Sequence, residues 1–242
     1  MEEPKYKRVL LKVSGEALAG EGGRGLDFAV LDQVCRVIKE AADMGVQVGV
    51  VVGAGNFWRG VKDGGGKMER TRADQMGMLG TVMNALAVSD VLEQQGVPAR
   101  VLTAITMSPV AEHYSRARAV EHLEAGRVVI FGCGTGNPFF STDTAAVLRA
   151  VEISADVILL AKNIDGVYSA DPRKDPNAVK FDEITYSEVL SRRLAVMDTT
   201  ATSLAMDNRI PVQLFALKDP RNILRVLRGE KIGTIVKEDQ PQ

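Results

Sequence analysis

Residues 127–146 read RVVIFGCGTGNPFFSTDTAA. The apolar run from Val128 to Phe131 has the length and composition of a buried strand. It enters a glycine-rich turn that holds Thr135, Asn137, Ser141, Thr142 and Asp143, and a helix is expected to begin near 142–144. Glycine lets backbone N–H groups approach a ligand closely, and a helix start favours anions. An acid at such a start can cap the helix or place a bound phosphate and its metal. Strand, glycine turn and helix together predict an α/β fold with a phosphate-bearing ligand.

The same alternation extends in both directions. Strands are expected at Val9–Val13, Gln47–Val52, Ala99–Leu102, Asp156–Leu160 and Val212–Phe215, with a further edge strand at Ile232–Val236. Helices are expected at Leu26–Asp43, Arg72–Gln95, Ser108–Ala125, Tyr186–Met197 and Thr199–Asn208. Asp198 reads as the cap of the last of these, and Asp219-Pro220 as one more helix opening. The stretch from Asn56 to the glycines 64–66 reads as a mobile loop, and KEDQPQ (237–242) as a frayed tail. Apolar strands alternating with helices predict a mainly parallel sheet covered on both faces, a three-layer αβα sandwich.

Composition narrows the class. A chain of 242 residues, 45% hydrophobic, can bury a sizeable core as one large α/β domain or two small ones. A net charge of −1 gives no global field for nucleic acid or an acidic membrane. The apolar runs are strand-length, too short to span a bilayer, and MEEPKYKRVLLKV shows no signal peptide. Two cysteines, Cys35 and Cys133, make no disulfide framework. The expectation is a cytoplasmic globular protein.

Four polar loops follow four expected strands: Lys12, Ser14, Gly15 and Glu16; Gly53, Ala54, Gly55, Asn56 and Arg59; Gly134 to Asp143; and Lys162, Asn163, Asp165 and Gly166. In an open α/β sheet, ligands sit outside the carboxyl ends of the strands, so these loops should build one site. Several familiar motifs fail. There is no GxxxxGK[ST], HExxH or CxxC. A GxGxxG occurs at Gly20, Gly22 and Gly25 but does not directly follow a strand. Cys133 with His113 or His122 could form a nucleophile and base, but reads instead as a small loop-entry residue and two helix-surface histidines.

The stretches LLKVSGEAL, VVGAGNFWRG, RADQMGMLGTVMNALA, GTGNPFFSTDTAA, IDGVYSADP and TYSEVL, running from Leu10 to Leu190, carry a resemblance. The chain resembles the amino acid kinase superfamily and, within it, the bacterial UMP kinase family. The resemblance implies a single amino acid kinase domain over 1–242. Its N-terminal part would lie mainly on the UMP side and the part from about 150 mainly on the ATP side. The implied reaction is phosphoryl transfer from MgATP to UMP in pyrimidine nucleotide synthesis. The chemistry is compatible, because the acceptor phosphate is largely dianionic and needs no general base, so catalysis reduces to alignment and charge neutralisation.

The resemblance also implies roles. Lys12, Asp143 and Asp198 would be catalytic, with Asp143 orienting phosphates or lysines or holding Mg2+. Lys12, Val13, Ser14, Gly15, Gly55, Arg59, Lys162, Asn163, Tyr168 and Asp171 would serve ATP, with Tyr168 against adenine. Ala54, Asp74 and the run Thr135, Gly136, Asn137, Pro138, Phe139, Phe140, Ser141 and Thr142 would serve UMP. Asp74 would take the ribose and Thr135 and Thr142 the uracil edge, while one of the two phenylalanines would sit in the core. Ala54 replaces the family's usual glycine, which requires negative φ there. Met76, Met78 and Met83 would serve the core or a dimer interface within a homohexamer. The loop Gly20, Glu21, Gly22, Gly23, Arg24 and Gly25 would be tied to GTP activation, with UTP as inhibitor. Two rivals remain: a kinase of the same fold acting on a carboxylate or carbamate, and a nucleotide sensor that has lost turnover.

Overall fold

A computed structural model describes residues 3–64 and 66–239. The chain runs β1 (Arg8–Val13), α1 (Phe28–Asp43), β2 (Gln47–Val52), α2 (Gly60–Gly64), α3 (Arg70–Gln94), β3 (Ala99–Thr103), β4 (Glu112–His113), α4 (Arg116–Glu124), β5 (Val128–Gly132), α5 (Thr142–Glu152) and β6 (Val157–Lys162). It continues through β7 (Val167–Tyr168), β8 (Lys180–Phe181), β9 (Glu183–Thr185), α6 (Tyr186–Ser191), α7 (Thr199–Asp207), β10 (Val212–Ala216), α8 (Asn222–Leu227) and β11 (Thr234–Lys237). Nine strands form one sheet in the order β4-β3-β5-β2-β1-β6-β10-β11-β9. All of its pairings are parallel except β10 with β11. β7 and β8 make a separate antiparallel pair.

The central strands are buried on both faces, as their unbroken Val, Leu and Ile runs require. Alternate residues feed two cores. Val9, Leu11 and Val13 pack with α1, α3 and α8 on one face, and Leu10 packs with α4, α5, α6 and α7 on the other. Parallel neighbours end at one edge, so the loops after β1, β2, β5 and β6 converge there.

Several expectations are corrected. Residues 108–125 are not mostly helical: a turn with a cis Ser108-Pro109 bond leads into β4, and α4 starts only after its Ser115 cap. The helix expected at 186–197 ends at Ser191, because Arg193 turns left-handed at φ 50°. The last strand is not an edge, since β9 lies outside β11. The helix expected at Asp219-Pro220 begins at Asn222, after a turn in which Asp219 accepts from the Arg221 N–H. Between Asn56 and the glycines, residues 60–64 form α2; position 65 of the expected loop lies outside the described residues. In the tail, Lys237 belongs to β11 and Ser187 donates to Asp239 at 2.5 Å, while 240–242 lie outside the described residues.

Candidate active site

The first two loops meet backbone to backbone. Gly53 N–H donates to Val13 O, and a methyl on Gly15 would lie 2.4 Å from Gly53 O and 2.5 Å from Asn56 Oδ1, so only glycine fits at position 15. A buried clasp fixes the second loop. Asn56 and Asn84 exchange side-chain amide hydrogen bonds at 2.8–2.9 Å, Asn84 also donates to Gly53 O, and Asn56 also donates to Gly25 O. All four donors of the two amides are thereby directed, which turns two costly buried groups into a specific joint. Ala54 is buried and absent from the positive-φ residues, as its side chain requires.

Lys12 is the penultimate residue of β1, and its ammonium lies 2.6 Å from Asp143 Oδ1. Lys162, at the end of the neighbouring β6, lies 3.5 Å from Asp143 Oδ2 and donates to Val196 O. Asp143 is not the helix cap. Ser141 caps α5 by accepting from the N–H groups of Asp143 and Thr144, which leaves the Asp143 carboxylate for the lysines. Burial alone would raise its pKa, but Lys12 and Lys162 outweigh burial and hold it below the usual carboxylate range. Burial and the charge of Lys12 in turn lower the pKa of Lys162, against the pull of Asp143.

Asp198 is the cap expected of it, and it also reaches the start of α5. It caps α7 by accepting from Ala201 N–H at 3.0 Å, and it receives the hydroxyls of Ser141 and Thr144 at the start of α5. Arg59 pairs with Glu16, joining the first and second loops.

Beside this centre lies a cleft of about 150 Å3 lined by Ala54, Asp74, Thr135, Asn137, Phe140 and Thr142, among others. An open cavity of about 570 Å3 shares its Asp74 and Ser141 wall and adds Arg59, Arg70, Phe139, Thr144 and Asp198. The residues expected to take one nucleotide are thus brought together. Phe139 and Phe140 are both exposed, at 66% and 51%, so neither belongs to the core. Phe139 also stands at φ 72°, and its N–H donates to Asp74 Oδ2 at 2.8 Å. Pro138 and Gly136 lie in the same turn.

Tyr168 and Asp171 line a separate cavity of about 330 Å3 together with Arg173 and Arg192. Tyr168 OH donates to Asp165, and Asp171 accepts from the Arg173 backbone. Asn163 shares a fourth cavity, of about 680 Å3, with Gly20, Glu21 and Asp27. In the same loop Gly22, Gly23 and Arg24 are exposed, while Gly25 is tied to Asn56.

The histidine reading is corrected. His122 is buried between Glu112 and Arg127, and His113 lies on β4 rather than on a helix. Burial raises the pKa of the Cys133 thiol, opposite to what a nucleophile needs. Met78 is buried, whereas Met76 and Met83 are exposed beside Leu79 and Leu86. The sequence reading missed Trp58, Gly60 and Thr144, which line the two cavities. Trp58 and Gly60 flank Arg59 in NFWRG, and Thr144 closes STDT, so their signal was adjacency to residues already selected.

The amino acid kinase family model matches residues 7–216. The chain belongs to the amino acid kinase family. Solved structures agree with this membership. A UMP kinase from Bacillus anthracis superposes with a TM-score of 0.93 at 39% identity, covering 97% of each chain. One from Ureaplasma parvum gives 0.91 at 35%, covering 97% of this chain and 100% of that one. A uridylate kinase from Archaeoglobus fulgidus gives 0.72 at 30%, covering 94% and 99%. Within this family fold, the Lys12–Asp143–Lys162 centre stands at the shared loop edge and the cleft with Asp74 stands beside it.

Proposed function

We propose that this protein is a UMP kinase, transferring the γ-phosphoryl group of ATP to UMP to give ADP and UDP for pyrimidine nucleotide synthesis. The observation that carries the reading is the buried Lys12–Asp143–Lys162 centre beside a cleft holding Asp74, Thr135 and Thr142. The similarity to three UMP or uridylate kinases over nearly their whole length supports it. Lys12 meets the transferring group, and Lys162 neutralises charge on the donor. Asp143 aims both ammonium groups at one point. Arg59 and the Ser14, Gly15 and Gly55 backbone face the phosphates. Asp74 accepts from the ribose hydroxyls, and Thr135, Asn137 and Thr142 face the base. Tyr168, Asp171 and Asn163 serve the ATP side, reached from the β6 end of the edge. The chain acts as one domain, with acceptor and donor regions on either side of β1.

The donor set suits a magnesium ion that arrives on phosphates. Among the described residues, no three His, Cys, Asp or Glu side chains gather to hold a metal alone. Asp143 Oδ1, however, is buried and accepts no well-aligned hydrogen bond, although Lys12 is 2.6 Å away. Asp143 and Asp198 are the carboxylates fitted to hold it, and when bound it supplies charge neutralisation between the phosphates. The enzyme works in the cytoplasm, and the exposed stripe Met76, Leu79, Met83 and Leu86 on α3 suits contact between copies of the chain in a hexamer. GTP activation through residues 20–25 and UTP inhibition complete the proposal.

The test is ADP release from MgATP with UMP, dUMP, CMP, aspartate or N-acetylglutamate as acceptor. Turnover confined to UMP is expected. A Lys12→Ala variant should lose rate by at least about 100-fold while keeping UMP binding, because the lost contact forms chiefly in the transition state. Turnover with an amino acid, or tight UMP binding without turnover, sinks the reading.

A further inference from the structure

The turn leaving β5 is unusually constrained. Four of its residues stand at positive φ: Cys133 at 64°, Gly134 at 57°, Gly136 at 82° and Phe139 at 72°. Two of the four carry side chains, and such backbone persists only where the surroundings over-determine it. Within the turn Gly136 N–H donates to Cys133 O at 2.9 Å, and the remaining bonds are longer: Asn137 N–H to Thr135 Oγ1 is 3.2 Å, Thr135 Oγ1 to Asn137 O is 3.3 Å and Asn137 Nδ2 to Thr135 O is 3.4 Å. That one short bond spans only the start of the turn, so the rest of the constraint comes from outside.

Three contacts supply it, two from α3 and one from α5. On one face of the sheet, Thr81 of α3 is buried; its hydroxyl donates to Met78 O at 2.6 Å and accepts the Cys133 N–H at 2.9 Å. On the opposite face, Arg149 of α5 is buried and its guanidinium donates to Gly134 O at 3.4 Å. Arg149 is itself held rigidly. It pairs with Glu152 at 2.5 Å, lies 3.7 Å from the centre of the Tyr114 ring, and Tyr114 OH donates to the same Glu152 oxygen at 2.5 Å. The third contact, Asp74 with the Phe139 N–H, closes the far end. A buried ionic cluster is weak evidence of stability, so its value must be sought in what it orients.

We infer that Thr81 and Arg149 are positioning residues for recognition of the nucleotide base. They clamp the 133–139 turn from the two faces of the sheet and thereby fix Thr135 and Asn137 at the cleft. The inference rests on the proposed UMP reading for its substrate, and on the turn alone for its geometry.

The test uses the full chain with Thr81→Val, which keeps the shape and removes the acceptor, Arg149→Met, and the conservative Arg149→Lys. KM for UMP should rise about tenfold in Thr81→Val and Arg149→Met, with kcat and KM for ATP within about twofold of the parent. The preference for UMP over CMP should fall in step, and Arg149→Lys should recover part of the loss because it keeps the charge without the planar fork. Amide hydrogen exchange of the free protein should quicken in residues 133–139 while β5 and α5 stay protected. Proportional loss of kcat and both KM values, or unchanged exchange in the turn, overturns the inference. If the parent does not turn over UMP, the functional reading fails while the exchange measurement still decides the clamp. If Arg149→Met does not fold, Thr81→Val and Arg149→Lys carry the same comparison.

Discussion

Asp143→Asn removes one negative charge from between two ammonium groups and changes the shape hardly at all. At 2.6 and 3.5 Å, with an effective dielectric constant of about 20, the lost attractions are about 6 and 5 kcal/mol before desolvation. Most of that attraction offsets the burial of the three side chains, which are only 8%, 16% and 25% exposed for Lys12, Asp143 and Lys162. What remains after the substitution is a pair of facing lysines that have lost their shared carboxylate, with only the more distant Asp198 acting on Lys162. Uncompensated buried charges cost about 3–5 kcal/mol, and partial exposure argues for the lower end, about 3 kcal/mol. For a chain of this length that lowers the melting temperature by about 6–12 °C.

The pH dependence has a definite sign. The native Asp143 pKa is depressed, so its contribution is complete above the unfolded value of about 4 and is lost only as pH falls through the lower native value. Thermal melts of parent and variant should therefore differ fully at pH 7 and pH 5, and converge only in strong acid. Lys162 behaves inversely, because its native pKa lies below the unfolded one. The variant should recover stability as pH rises through that lowered value. Adding Lys162→Met to Asp143→Asn removes one repelling charge and should restore part of the loss. A variant as stable as the parent at pH 7, or a double variant weaker than the single, would refute the reasoning.

Other perturbations have equally definite outcomes. A methyl on Gly80 would lie 2.9 Å from Ala54 Cβ, so Gly80→Ala should destabilise by about 1–3 kcal/mol despite its better helix propensity. In an Ala54→Gly background the same change should become stabilising in urea titrations; equal costs in both backgrounds would dismiss the contact. Asp74→Asn should cut the kcat/KM preference for UMP over dUMP by about tenfold or more, since a site built to accept a hydroxyl discriminates through it. An unchanged preference would remove Asp74 from the ribose role.

The sequence made the central sheet legible because its strands are buried on both faces and read as unbroken apolar runs. Val9, Val50 and Ile158 left little choice. The short elements were not legible. β4 and β8 span two residues each and are held by neighbours distant in sequence rather than by their own composition. Lys237 was misjudged for the same reason: KEDQPQ is polar, yet Lys237 pairs with Thr185 of β9, and no local pattern announces that. In the site, convergence of the four loops followed from parallel strands alone. Whether Asp143 or Ser141 capped α5 could not be read, because both residue types cap well and only the reach of Lys12 and Lys162 decides. Thr81 and Arg149 were invisible for a different reason. A threonine and an arginine inside helices carry no signal until the turn they hold is seen.

The strand order has a consequence for how the protein comes into being. β1 lies between β2 and β6, and Val9 is matched with both Val48 and Val157. Lys12, Asp143 and Lys162 therefore meet only after a parallel pairing between distant parts of the chain is complete. Such contacts are late to form, since their loop closure must be met before they repay it. Regain of activity during refolding should lag behind the return of helical signal, which makes phosphoryl transfer a reporter of the final assembly of the sheet.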